Sequence, residues 1–186
     1  MGKTAIFIDG AYLDKILEYG FGRTRIDFER FVAEIGDGSM LRSYYYHCRP
    51  YVSQEPTPEE TQRFEAKERF FRALGNIPRF QVRLGRLVFR GNNENGRPIF
   101  IQKLVDVMLS VDMVQLSATR QINRVILVAG DNDFLPAIEA TKRLGVLVSL
   151  LHGPPINGFS SSHNDLWQAS DERKEIGQQL IQRIKR

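Results

Sequence analysis

Four aspartates, Asp9, Asp106, Asp131 and Asp133, stand where strands and helices should open onto one edge of a sheet. Asp9 closes the apolar run Ala5-Ile6-Phe7-Ile8. Asp131 and Asp133 follow Val125 to Gly130, and Asp106 heads an amphipathic stretch after Lys103-Leu104-Val105. Acids at the carboxyl ends of parallel strands point into the ligand crevice of an open α/β sheet. Gathered there they repel one another, and a hard divalent cation is the usual resolution. Mg²⁺ or Mn²⁺ in such a place holds a phosphodiester oxygen and lowers the pKa of a bound water toward neutrality. These residues therefore point to metal-dependent phosphate chemistry. Mg²⁺ keeps several of its waters, so a sparse, all-carboxylate site suits it.

Each acid also has a local role open to it. Asp9 before Gly10 can stabilise a turn, and Asp133 before an apolar helix can cap it. Asp106 on a first helical turn is favoured by the helix dipole, and Asp131 can bond nearby amides. Asp112 lies six residues beyond Asp106. That is about 240° around a helix at roughly 100° per residue, so it ranks behind the other four. Lys103, read as one helical turn before Asp106, could neutralise the cluster or touch a phosphate. Asn132, between two acids, could orient a water. Ser160, Ser161 and Ser162 follow a loop that should overhang the site.

A second pattern is basic. Arg72, Arg79, Arg83, Arg86, Arg90 and Arg97 fall close together, among Phe80, Phe89 and Phe100. Arginines interleaved with aromatics suit a nucleic-acid backbone and its bases, and a solvated strand face gives the same pattern. Arg83, Arg86 and Arg90 are the candidate contacts. The formal net charge of +4 permits a polyanionic partner without demonstrating one. A single cysteine, Cys48, excludes an internal disulfide and any cysteine-based zinc site. The histidines His47, His152 and His163 show no ligand spacing and read as structural or exposed.

The elements that must position these residues read as alternating strands and helices. The chain has 186 residues, 42% hydrophobic, and no evident linker, so one domain over 1–186 is expected, with its core in 4–151. Continuous apolar runs predict buried strands over 4–9, 125–129 and 146–151, and a strand over 40–48 centred on three tyrosines. Those tyrosines and Phe70 could form core or a homodimer face. Asp27 should cap a helix to about Gly36. Thr57-Pro58-Glu59-Glu60 is a strong start for a helix to about Gly75. The alternation over 80–89 predicts a strand with one exposed face, and 97–101 could return as a hairpin arm. Further helices are predicted over 11–19, with Tyr12, Ile16 and Tyr19 on one side, and over 103–118, 134–144, 160–168 and 172–185. On the 103–118 helix, Leu104, Val107, Met108, Val111 and Val114 are available to the core. The order predicts an α/β fold: a Rossmann-like open parallel sheet, helices on both faces, and a hairpin-like insert. No run is long and apolar enough to span a bilayer, and the start has no long apolar leader region. A cytoplasmic protein without membrane attachment is expected.

Three blocks together resemble the NYN family of PIN-like nucleases, and especially its bacterial LabA-like branch. Ile6-Phe7-Ile8-Asp9-Gly10-Ala11-Tyr12-Leu13 is similar to the family's opening Asp-Gly-x-Asn-Leu element. Lys103-Leu104-Val105-Asp106-Val107, followed by Asp112, is similar to its Lys-x-Val-Asp element. Val128-Ala129-Gly130-Asp131-Asn132-Asp133-Phe134-Leu135-Pro136 is similar to its Ser-Gly-Asp-x-Asp-Phe-x-Pro element. The resemblance implies a PIN-like fold and a divalent-metal ribonuclease, with Asp9, Asp106, Asp131 and Asp133 as metal ligands or water activators. Ala11 stands where the family usually has asparagine, and Ala129 where it has serine or threonine.

Three function classes follow. The first is a Mg²⁺- or Mn²⁺-dependent endonuclease acting on single-stranded or structured RNA. The second, motivated by Ala11, is a catalytically weak or inactive RNA-binding adaptor of the same fold. The third is another phosphate enzyme. It lacks the second aspartate of a haloacid-type phosphatase, because Ala11 occupies that position, and it lacks a P-loop.

Overall fold

The computed structural model describes residues 2–96, 98–156 and 164–186. In chain order the elements are β1 (Thr4–Asp9), α1 (Gly10–Gly20), α2 (Phe28–Ile35), β2 (Met40–Cys48), α3 (Pro58–Gly75), β3 (Phe80–Asn92) and β4 (Pro98–Lys103). Then follow α4 (Val105–Ala118), β5 (Arg124–Val128), a 3-10 turn (Asn132–Phe134), α5 (Leu135–Arg143), β6 (Leu147–His152), α6 (Asn164–Ala169), β7 (Glu172–Glu175) and α7 (Gln178–Ile184). The strands form one sheet in the order β4-β3-β2-β1-β5-β6-β7. Neighbours run parallel except β4, which returns antiparallel on β3 as the expected hairpin.

The period-two geometry of strands divides the core into two layers. Ile6 and Ile8 of β1, Tyr45 of β2, and Ile126 and Val128 of β5 face α1, α2, α3 and α7. Their neighbours Ala5, Phe7, Tyr44, Tyr46, Val125 and Leu127 face α4, α5 and α6. Tyr45 and Tyr46 are fully buried, so β2 supplies core rather than a dimer face. Chain order reverses beside β1: one half of the chain builds outward through β2 and β3, and the other returns through β5 and β6. In open α/β sheets ligands bind at such a reversal, here at the carboxyl ends of β1 and β5.

Local signals hold where they were strongest. Asp27 caps α2 by accepting from the Arg30 amide, and Thr57 and Glu60 close a capping box on α3. Three expectations differ. Residues 172–185 are not one helix: Glu172–Glu175 pairs parallel with β6 as an edge strand, and only then does α7 begin. Four charged or polar side chains in a row suit a helix surface, but backbone pairing to β6 prevails. Arg124 and Ser149 bind Glu172, and the Val148 amide donates to Asp171 at 2.8 Å. Next, α4 begins at Val105, so Lys103 ends β4 instead of opening the helix. The buried face of α4 is then Val105, Leu109, Met113 and Ser117, with Met108 and Val114 partly covered; Leu104, Val107 and Val111 face solvent. That helix carries apolar residues at nearly every phase, so its own pattern points in no direction. Finally, Tyr19 is exposed, although Tyr12 and Ile16 of the same helix are buried. The serines at 160–162, His163 and Arg97 lie outside the described residues.

Candidate active site

Asp9 is the last residue of β1 and the N-cap of α1, and only 9% of its surface is exposed. Its Oδ1 accepts from the amides of Ala11 at 3.0 Å and Tyr12 at 3.1 Å. Burial pushes its carboxyl up to about 6; the Tyr12 amide pulls the other way, and the Asp106 charge adds to the rise. Gly10 is required beside it. A Cβ there would lie 2.4 Å from the Tyr45 ring and 2.8 Å from His47 Cδ2.

Asp106 lies in the first turn of α4. Burial, and then the charges of Asp131 and Asp133, hold its carboxyl above the ordinary range. Asp131 follows β5 and caps the 3-10 turn, where its Oδ1 accepts from the Asp133 amide at 3.1 Å. Asp106 is thus linked electrostatically to Asp9 and to Asp131 and Asp133. Elements far apart in sequence bring the four expected acids into one field at the carboxyl edge of the sheet. Asn132 ties the turn to α6 through Nδ2, 3.3 Å from Asp165 Oδ2. Its Oδ1 is buried and has no hydrogen-bond partner among the described residues.

The remaining expected residues separate. Asp112 is committed elsewhere: it accepts from Tyr46 Oη at 2.8 Å and from Arg83 Nη2 at 3.1 Å. That pairing engages Arg83 as well: its Nη2 bridges β3 to α4, while the side chain stays partly exposed. Arg86 and Arg90 are exposed. Lys103 is exposed as well and sits opposite Arg86 across the hairpin.

One cluster had no signal in the sequence. Asp14 Oδ2 lies 3.1 Å from both His47 Nε2 and Lys67 Nζ, joining α1, β2 and α3 beside the acid edge. Burial works against charge on Asp14, yet His47 and Lys67 outweigh it and hold the carboxyl below its usual value. The His47 ring stacks on Tyr45 and bears on Asp9 electrostatically. No spacing rule joins residues 14, 47 and 67; the packing of α1, β2 and α3 does.

The donor set fits a hard cation. Its acids and the orphaned Asn132 oxygen are all oxygen donors, and two carboxylates are destabilised by burial and mutual repulsion that a cation would relieve. Among the described residues, no three carboxylate, histidine or cysteine side chains stand close enough to share one ion. Mg²⁺ does not require three, being commonly held by one or two carboxylates and its own waters.

Residues 3–172 match the NYN domain family. The chain belongs to the NYN family. The match is to the domain as a whole and does not single out the LabA-like branch, while a PIN-like nuclease superfamily fold fits. This NYN chain is 27% identical over 112 residues to the uncharacterized protein y4oD of Sinorhizobium fredii (strain NBRC 101917 / NGR234). The match covers 60% of this chain but 47% of that relative, so it spans about half of the relative's length. In structure it is similar to a protein of unknown function from Vibrio parahaemolyticus RIMD 2210633, with a TM-score of 0.66 and 20% identity. That match covers 95% of this chain and 94% of the other, and it supports the α/β fold alone. NYN and PIN-like nucleases typically use divalent metals. Among the described residues no helix is long and apolar enough to cross a membrane.

Proposed function

We propose that this NYN domain is a divalent-metal-dependent endoribonuclease. The observation that carries the reading is Asp9: a buried carboxylate at a helix N-terminus, raised to about 6 and coupled to Asp106. Buried carboxylates with raised pKa values and a charged neighbour cluster at functional sites. Asp9 and Asp106 would hold Mg²⁺ or Mn²⁺, with Asp131 and Asp133 helping through waters. Bound there, the ion supplies Lewis-acid stabilisation of a phosphate oxygen and a water of lowered pKa. The α1 N-terminus keeps the Asp9 carboxylate oriented through the Ala11 and Tyr12 amides. The 3-10 turn orients Asp131 through the Asp133 amide, and the buried Asn132 Oδ1, without a hydrogen-bond partner among the described residues, is a further oxygen between the two acids in sequence. Arg86 and Arg90 supply positive charge for the RNA backbone.

The test is cleavage of labelled RNA by purified protein in Mn²⁺. Chelation with EDTA should abolish cleavage, and Asp131→Asn should lower kcat/KM at least about 100-fold, as loss of a transition-state contact does. Cleavage indifferent to chelator, or retained in Asp131→Asn, would overturn the proposal. A second reading, a non-catalytic RNA-binding adaptor, is favoured by Ala11, whose contact with Asp9 is its backbone amide. It predicts salt-sensitive binding without turnover even in excess Mn²⁺.

A further inference from the structure

Asp9 pairs in register with Tyr46, and Tyr46 with Arg83, so Arg83 marks the acid edge on β3. β3 continues to Asn92 and is covered by β4 alone beyond Gly85. At about 3.3 Å per residue, Phe89 lies roughly 20 Å past the acids, on a two-stranded ribbon. Phe89 and Phe100 are direct cross-strand partners with ring centroids 5.9 Å apart. Tyr51, from the segment after β2, joins them at 4.9 Å from Phe100 and 6.2 Å from Phe89. Phe89 remains 45% exposed, far more than a ring recruited only to close a core.

Strand alternation places Phe89 and Phe100 on the same side as Leu87, which packs toward the α4 layer where Asp106 resides. Arg86 and Lys103 lie on the opposite side of the narrow ribbon, and neither forms an ion pair among the described residues. Arg90, next to Phe89, is also exposed and without an ion pair among them. Rings and uncommitted cations on one projecting arm match what a single strand presents: base faces to stack and phosphates to neutralise. A paired helix hides its base faces and does not meet the rings. The charge argues against a second copy of this chain as the occupant, because two such ribbons would bring like charges together.

We propose that Tyr51, Phe89 and Phe100 form a base-stacking platform that selects single-stranded RNA and guides it to the acid edge. This rests on the ribonuclease reading and names its substrate class. The test measures binding in EDTA, without turnover, by fluorescence anisotropy of an unstructured RNA oligomer and of a duplex of equal length. The single strand should bind at least about 10-fold more tightly. Phe89→Leu and Tyr51→Leu should each weaken that binding roughly 5- to 100-fold, the range for loss of one stacked base, and leave its salt dependence unchanged. Phe89→Trp should retain binding. Arg86→Gln should instead lower the salt slope by about 0.7. Tyr51 lies outside the ribbon strands, so its variant reports on stacking even where Phe89→Leu disturbs the hairpin. Equal binding of duplex and single strand, or indifference to ring loss, overturns the platform, as does a change of oligomeric state in Phe89→Leu by light scattering. Single-strand binding without cleavage in Mn²⁺ would sink the nuclease reading and leave the platform standing.

Discussion

Asp9 combines two roles that conflict in the absence of a cation. It caps α1, which favours its charge, and it is buried, which opposes it. Burial prevails, and the folded-state value of about 6 exceeds the ordinary 3.8. The folded protein therefore binds the Asp9 proton more tightly than the unfolded chain does. Its contribution is most favourable below about pH 3.8 and is lost as pH rises through about 6. At about 1.36 kcal/mol per unit, the ionised side chain costs up to about 3 kcal/mol at neutral pH. Asp9→Asn should thus stabilise the metal-free protein at pH 7.5 by about 1–3 kcal/mol in urea melts. The gain is trimmed by weaker hydrogen bonds to the two amides and should shrink toward zero below pH 4. A variant less stable than the parent at pH 7.5 contradicts this account. Asp112 shows the opposite arrangement: with Tyr46 and Arg83 as partners, its carboxylate bonds β2 and β3 to α4.

At the scale of elements, the junction of β4 and α4 aims Asp106. Leu104 makes that junction in the left-handed region, with φ 77, and its side chain is 52% exposed. A non-glycine residue there carries roughly 1 kcal/mol of strain, and a leucine gains little in return when its side chain faces water. Leu104→Gly should raise Tm by about 2–4 °C for a chain of this size, as read by calorimetry. The Leu104 carbonyl still accepts from the Met108 amide, so the helix start is kept. A lower Tm would show that the leucine makes a contact outweighing its backbone. The β1–α1 junction needs its glycine for a different reason: at Gly10 the nearby Tyr45 ring excludes any Cβ.

At the scale of the molecule, the reversal of strand order beside β1 gathers Asp9, Asp106, Asp131 and Asp133 into one field, and their repulsion is a property of the whole fold. A cation bound there stabilises the folded state by mass action. One millimolar Mn²⁺ with a Kd of about 0.1 mM would add about 1.4 kcal/mol, or roughly 3–6 °C in Tm. Asp9→Asn should respond much less. Equal shifts in both proteins would mean that Mn²⁺ binds away from Asp9.

Much of this was legible in the sequence because it is local. Thr4–Asp9 and Met40–Cys48 are strands with the expected bounds, and the caps at Asp27 and Thr57 act as their residue types dictate. The four aspartates at element ends could be named without coordinates, since apolar runs that stop at an acid carry their own punctuation. What the tertiary structure decided depends on which segments lie side by side, and no local pattern encodes that. It chose the face of α4 among apolar residues at nearly every phase, joined His47 to Asp14 and Lys67, and made Glu172–Glu175 a strand. It gave Arg83 to Asp112 while leaving Arg86 in solvent, and it set Tyr51 against Phe89 and Phe100.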